Sequence, residues 1–377
     1  MHSAQCWRPS SSAMRLWEAE AVAKRSRCEE LNLFNAFACL LVVLIHVLSV
    51  GITELQRDTL QAAVVFFPWK LAAYVVPGFL FTGAVKMGLG FDDDRTTPRM
   101  YLSYMVRRIL KIWLPYAVWV GIYYLYFLRI GWVEAGFGVF ADYVIYGNLS
   151  SPFYYVVTVM QFYALMPFWK WMTKKIPCWI ALPTAAMVTL GMLYSEGILS
   201  HMGIAFAWRD RVFPSYLVFW VLGLYAGRHY DTVRTALKQH TKAVAALLVP
   251  ILLYAVGMWV QFAKSIYLFD GNVIKLFSDC MTIGVMLMLC IHIADGASEC
   301  IKKPLNFIYR ASFTVYLSHC LFLQIASSAI SRFGIADIGV QLVVRAAVCY
   351  TAPFILWYLW SLIHKGIKMF LAKRKAG

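Results

Sequence analysis

Apolar residues run along this chain in blocks of about twenty, separated by short stretches that hold most of its lysines and arginines. A block of that length crosses the roughly 30 Å hydrocarbon core of a bilayer as a helix. The blocks predict helices at 31–52, 61–86, 105–128, 152–171, 177–195, 212–229, 243–262, 273–294, 307–330 and 339–364. The period-two alternation that a β-barrel needs is absent. The pattern therefore reads as an all-α membrane protein, a bundle of about ten transmembrane helices. The stretch 132–147 carries Glu134 and Asp142 and is placed outside the membrane, as an interfacial turn or helix.

Composition sharpens this picture. Of 377 residues, 61% are hydrophobic and 14% charged, and the mean hydropathy is +0.64. Soluble domains run nearer a quarter charged, so this chain cannot clothe a water-facing surface. The net charge of +16 does not point to nucleic acid, because no basic stretch is interleaved with aromatics. Its basic residues instead orient helices. With the N-terminus inside, 26 of the 35 lysines and arginines fall on inner segments. That bias places both termini in the cytoplasm, with Lys24, Lys174, Lys238 and Lys373 on that side. Residues 1–28 read as a disordered cytoplasmic extension (Met14 is an alternative start), 29–365 as the membrane domain and 366–377 as a basic cytoplasmic tail. Asp92, Asp93 and Asp94 read as a solvated loop.

Chemistry is sparse. His46 lies 15 residues past Leu31, about 22 Å along a helix, where an imidazole is costly unless it meets a cavity or a polar partner. It shares one helix face with Asn35, Cys39, Val42 and Ser49. Pro77-Gly78 can bend the second helix, and Thr82-Gly83 offers a hydroxyl and close approach. Arg107, Arg108 and Lys111 crowd the inner edge of the third helix. Their default role is headgroup anchoring; the sharper reading is a phosphate patch. Gln161 sits mid-helix, and Tyr316, Ser318 and His319 bring a second intramembrane histidine whose default role is structural. Neither histidine has metal-ligand spacing, so no metal is expected. The cysteines, including Cys39, Cys290, Cys320 and Cys349, lack any C-x-x-C pair and read as small hydrophobes.

Six segments, in order, resemble the acyltransferase 3 family of membrane acyltransferases. They are the Glu30-initiated helix ending LLVVLIH, PGFLFTG, RRILKIWLP, VMQFYALMPFW, VLGLYAGR and FTVYLSH. The resemblance runs from about residue 29 to 365 and is closest in flavour to the polysaccharide intercellular adhesin C-type branch. It implies a multi-pass protein of a bacterial plasma membrane that moves an acyl group, most plausibly acetyl, from cytoplasmic acyl-CoA to a hydroxyl of an exported carbohydrate. Acyl-CoA is then a substrate, with no permanently bound cofactor. Membrane lipids, the carbohydrate acceptor and polysaccharide synthesis or export proteins are the expected partners.

By that resemblance His46 is the catalytic base or acyl carrier. Arg107, Arg108 and Lys111 hold the donor, and Asn35, Thr82, Gln161, Tyr316 and His319 face substrate. The family often has arginine where Asn35 stands, so a permanent charge is missing from the cavity. That departure leaves open a catalytically degenerate accessory subunit. A glycan or lipid-linked sugar transporter would also need ten helices and a polar cavity, but no internal repeat is evident.

Overall fold

The structure, a computed structural model, describes residues 29–91, 97–203 and 208–376. The N-terminal extension and the Asp92–Asp94 run lie outside those residues. Helices account for all the regular structure described. They are α1 (Glu29–Glu54), α2 (Leu60–Leu71), α3 (Val75–Gly88), α4 (Pro98–Arg108), α5 (Leu114–Arg129), α6 (Phe137–Tyr146), α7 (Tyr154–Ala164), α8 (Met166–Lys175), α9 (Cys178–His201), α10 (Leu217–Arg228), α11 (Tyr230–Gln239), α12 (Thr241–Ala246), α13 (Leu248–Lys264), α14 (Gly271–Gly296), α15 (Glu299–Arg332) and α16 (Ile338–Ala376).

Among the described residues, eight continuous helical runs are long and apolar enough to cross a membrane. Their outward faces remain apolar: Leu125, Leu253 and Val343 are all exposed, as lipid-facing side chains are. The other two expected spans are present as helix but in pieces. The fourth breaks into α7 and α8 because Pro167 has no N–H to continue the ladder. The carbonyls freed there find side chains: Trp169 Nε1 donates to Phe162 O at 2.8 Å, and Tyr101 donates to Ala164 O at 2.8 Å. The sixth is a 3₁₀ turn, Phe213–Tyr216, leading into the twelve residues of α10. The expected bend at Pro77 falls one turn earlier, as a 3₁₀ turn at Ala72–Tyr74, where the proline ring displaces the Ala73 carbonyl. Helix α16 continues through the segment expected to be a tail. Helix α6 lies where an interfacial helix was one of two readings, and none of its residues is buried.

Two packing devices fix the bundle. Helices α3 and α10 make its most extensive helix pair. Gly223 and Gly227, four apart, face Ala84 and Gly88, also four apart. A Cβ on Gly227 would strike the Val85 carbonyl, and one on Gly223 the Phe81 carbonyl. Small residues at this spacing let backbones touch. At the end where α1 begins, buried Glu30 accepts from Tyr230 at 2.8 Å and Arg234 Nε at 3.1 Å. Arg234 and Lys238 also pair with Asp295, and Lys302 approaches Glu29 at 4.0 Å. The basic inter-helix segments thus meet at one end of the bundle.

Candidate active site

Helix α1 carries its polar residues on one face because every other face is needed for packing. Leu31, Leu33, Phe34, Ala38 and Val43 are completely buried. Asn35, on the polar face, accepts a 2.7 Å hydrogen bond from the buried Thr82 hydroxyl. One turn toward the start of α1, Asn32 accepts from Lys86 Nζ at 3.2 Å. His46, half-buried, lies fourteen residues beyond Asn32, about 21 Å along the helix.

Helix α15 brings the second histidine to the first. The rings of His46 and His319 lie 5.0 Å apart between centroids, tilted by 50°. His319 is wholly buried. Its Nδ1 lies 3.0 Å from the Val315 carbonyl. A carbonyl can only accept, so Nδ1 carries a proton and Nε2 is the basic nitrogen. Cys320 Sγ is 3.4 Å from that Nε2. His46, His319 and Cys320 each offer one ligand atom, all within 4.8 Å of one another. The chain's topology therefore assembles what neither histidine's sequence spacing showed, a cluster with metal-ligand chemistry.

The turn bearing His319 is held by an inserted hydroxyl. Tyr123, fully buried on α5, donates to Leu317 O at 3.0 Å and accepts from Leu321 N at 2.7 Å. Those two backbone groups are the pair that the α-helix would otherwise join. Tyr123 thus wedges into the ladder around Ser318, His319 and Cys320. Sequence reading missed it, because a tyrosine in an aromatic-rich span carries no distinguishing signal.

Tyr316 donates its hydroxyl to Pro152 O, so the ring is what it presents. That ring sits 5.5 Å from Tyr155, 6.2 Å from Phe79 and 6.2 Å from His319. Asn35, Phe79, Tyr155, Ser312, Phe313 and Tyr316 enclose a small cavity of about 100 Å³.

A larger cavity, about 550 Å³, opens near the C-terminal end of α3. Lys86, Arg99, Arg107, Arg108 and Lys170 line it. Arg108 lies over Tyr163 at 4.2 Å and Tyr104 at 5.0 Å, its guanidinium held on aromatic faces. Lys111 does not line this cavity; it is exposed on a π-helical turn, Ile109–Trp113, and its donor assignment is not supported. The assignment of Gln161 is likewise revised. Its Nε2 donates to Arg211 O at 2.7 Å and Val157 O at 3.3 Å, and its Oε1 accepts from Phe213 N at 3.1 Å. The amide is committed to tying the 208–216 segment to α7. Lys86 and Lys170 join the cationic wall without having been singled out, since each reads in sequence as an ordinary helix-end lysine.

A family model described as an acyltransferase domain, that of acyltransferase 3, matches residues 29–363. The chain belongs to that family. It is also 24% identical, over 344 residues, to "Putative membrane-bound acyltransferase YfiQ" of Bacillus subtilis (strain 168), a match covering 86% of this chain and 89% of that one. No solved structure matches it. The protein is thus a multi-pass membrane O-acyltransferase.

Proposed function

We propose that the chain transfers an acetyl group from cytoplasmic acyl-CoA to a hydroxyl of a cell-envelope carbohydrate. The observation that carries this reading is the His46–His319 pair in the same bundle as a cavity lined by five cations, with a small aromatic-lined cavity beside Asn35. Arginine grips phosphate through paired N–H donors, so Arg107 and Arg108 suit the phosphates of the donor. Its thioester arm then runs past Tyr155, Phe79 and Tyr316 toward the histidines.

A sugar hydroxyl is a weak nucleophile and needs a base against it. In the reaction, the His46 imidazole takes the hydroxyl proton as oxygen attacks the thioester carbonyl. The C–O bond forms, the C–S bond breaks, and the imidazolium returns the proton to the departing thiolate. The His319 ring, 5.0 Å away, orients it. The inner orientation of the cationic end, with both termini cytoplasmic, follows the positive-inside bias. A bacterial plasma membrane, and the polysaccharide intercellular adhesin C-type branch, fit the same reading.

The test is transfer of label. Purified protein in liposomes, given acetyl-CoA labelled in the acetyl group and an envelope polysaccharide extract, should pass label to carbohydrate. Folded protein that leaves all label on acetyl-CoA would overturn the proposal.

A further inference from the structure

A second polar cavity, about 340 Å³, opens at the middle of the α2–α3 run, away from the cationic one at its C-terminal end. Ala73, Val76 and Pro77 line it, whereas Lys86, Met87 and Gly90 line the cationic cavity. Ten residues, about 15 Å of helix, separate Val76 from Lys86. Phe79, in the wall of the small central cavity, lies between them. Tyr154 borders this second cavity, and its neighbour Tyr155 borders the central one. The second cavity and the central one are thus bordered by successive residues of α7. Tyr316, which also lines the central cavity, has its ring 6.2 Å from that of His319.

Its chemistry is mixed in a specific way. Tyr154 and Tyr216 stack with ring centroids 6.3 Å apart and planes 19° from parallel. Opposite them on α14 stand Asn272, Lys275 and Asp279. Asp279 is only 6% exposed and pairs with Lys275 one turn away. That pairing uses one carboxylate oxygen and one of three ammonium protons, Oδ2 and Nζ–H. The ion pair carries no net charge to draw in a phosphate. A donor and an acceptor side by side, facing aromatic rings, instead match the vicinal hydroxyls and C–H face of a sugar. The volume falls within the range of small-molecule sites, about 300–1,000 Å³.

We infer that this cavity is the acceptor site and binds a pyranose unit of a carbohydrate through Asp279, Lys275 and the Tyr154–Tyr216 stack. The inference rests on the acyltransferase reading above for what happens next, but binding itself can be measured without turnover. Purified protein in lipid nanodiscs would be titrated by equilibrium dialysis with radiolabelled chitopentaose, maltopentaose and, separately, acetyl-CoA. At least one oligosaccharide should bind. Tyr216→Leu and Asp279→Asn should each weaken it about tenfold or more, with acetyl-CoA binding unchanged within about twofold. Asn272→Ala, at the helix start and outside the buried ion pair, should weaken it too and guards against a folding defect in Asp279→Asn. Absence of binding by both oligosaccharides, or unchanged binding by all three variants, would overturn the site. Failure of acetyl-CoA to bind the parent protein would instead count against the donor reading, whatever the sugars do.

Discussion

His46 and His319, from the first and ninth expected spans, place their imidazoles 5.0 Å apart, and the Nδ1 of His319 is committed to Val315 O. Two imidazoles so placed can hold one another's orientation and share proton traffic. His319 reads in the sequence as mainly structural; the proposed mechanism, built on the pairing, gives it a part in turnover. His319→Asn should therefore lower kcat by about 10²-fold while the protein still inserts and keeps its melting temperature within a few degrees. A variant that loses melting temperature but, when folded, turns over normally would return His319 to a packing role.

Tyr123 is the support for that arrangement. Tyr123→Phe removes one oxygen and leaves Leu321 N–H and Leu317 C=O to rejoin directly, which shifts the intervening turn. Restored backbone pairing limits the loss of stability to about 1–3 kcal/mol at most. The expected signature is a split: kcat down about tenfold, KM for acyl-CoA unchanged. Equal loss in both parameters would mean that Tyr123 serves folding alone.

Arg108 and Lys111 separate cleanly. Arg108 lines the large cavity and is held over Tyr163 and Tyr104, whereas Lys111 is exposed on the π turn. Arg108→Ala should raise KM for acyl-CoA by about 10–100-fold, the value of one or two charge-assisted bonds. Lys111→Ala should leave KM as it is. Steady-state kinetics of the two variants, side by side, decide the point.

Glycine positions make a contrast in stability. Gly227 sits against the Val85 carbonyl, while Gly191 on α9 has open space around its Cα. Gly227→Ala should cost about 1–3 kcal/mol through overpacking. Gly191→Ala should be neutral or stabilising by about 0.5–1 kcal/mol, as alanine is in a helix. Thermal unfolding in detergent reads both. Equal effects would mean that α3 and α10 are not packed backbone to backbone.

Much of this architecture was legible because a bilayer imposes one length on apolar helix. All ten expected segments are helical, and the boundaries at 31–52 and 273–294 lie within two residues of α1 and α14. The breaks were less legible. Pro167 was visible, but that Trp169 and Tyr101 would satisfy the freed carbonyls depends on contacts between elements. The site divides the same way. His46 announces itself by the cost of an imidazole at depth, and Asn35 and Thr82 by sharing polar faces. Gln161 carries the same signal, yet spends its amide on Arg211 and Phe213, a partner choice that only the fold makes. Tyr123 and Cys320 gain meaning only from what lies across from them. Lys86, which reaches Asn32 one turn from Asn35, lines the cationic cavity with Arg108, a grouping that only the fold makes.

The most direct test of the account is the rate of acetyl transfer by His46→Ala. It would be measured under single-turnover conditions with labelled acetyl-CoA and the envelope carbohydrate, with melting temperature and insertion followed on the same preparations. Removing the base predicts a fall of about 10²–10⁴ in rate at unchanged stability. A well-folded His46→Ala protein that acetylates carbohydrate near the parent rate would contradict the central claim.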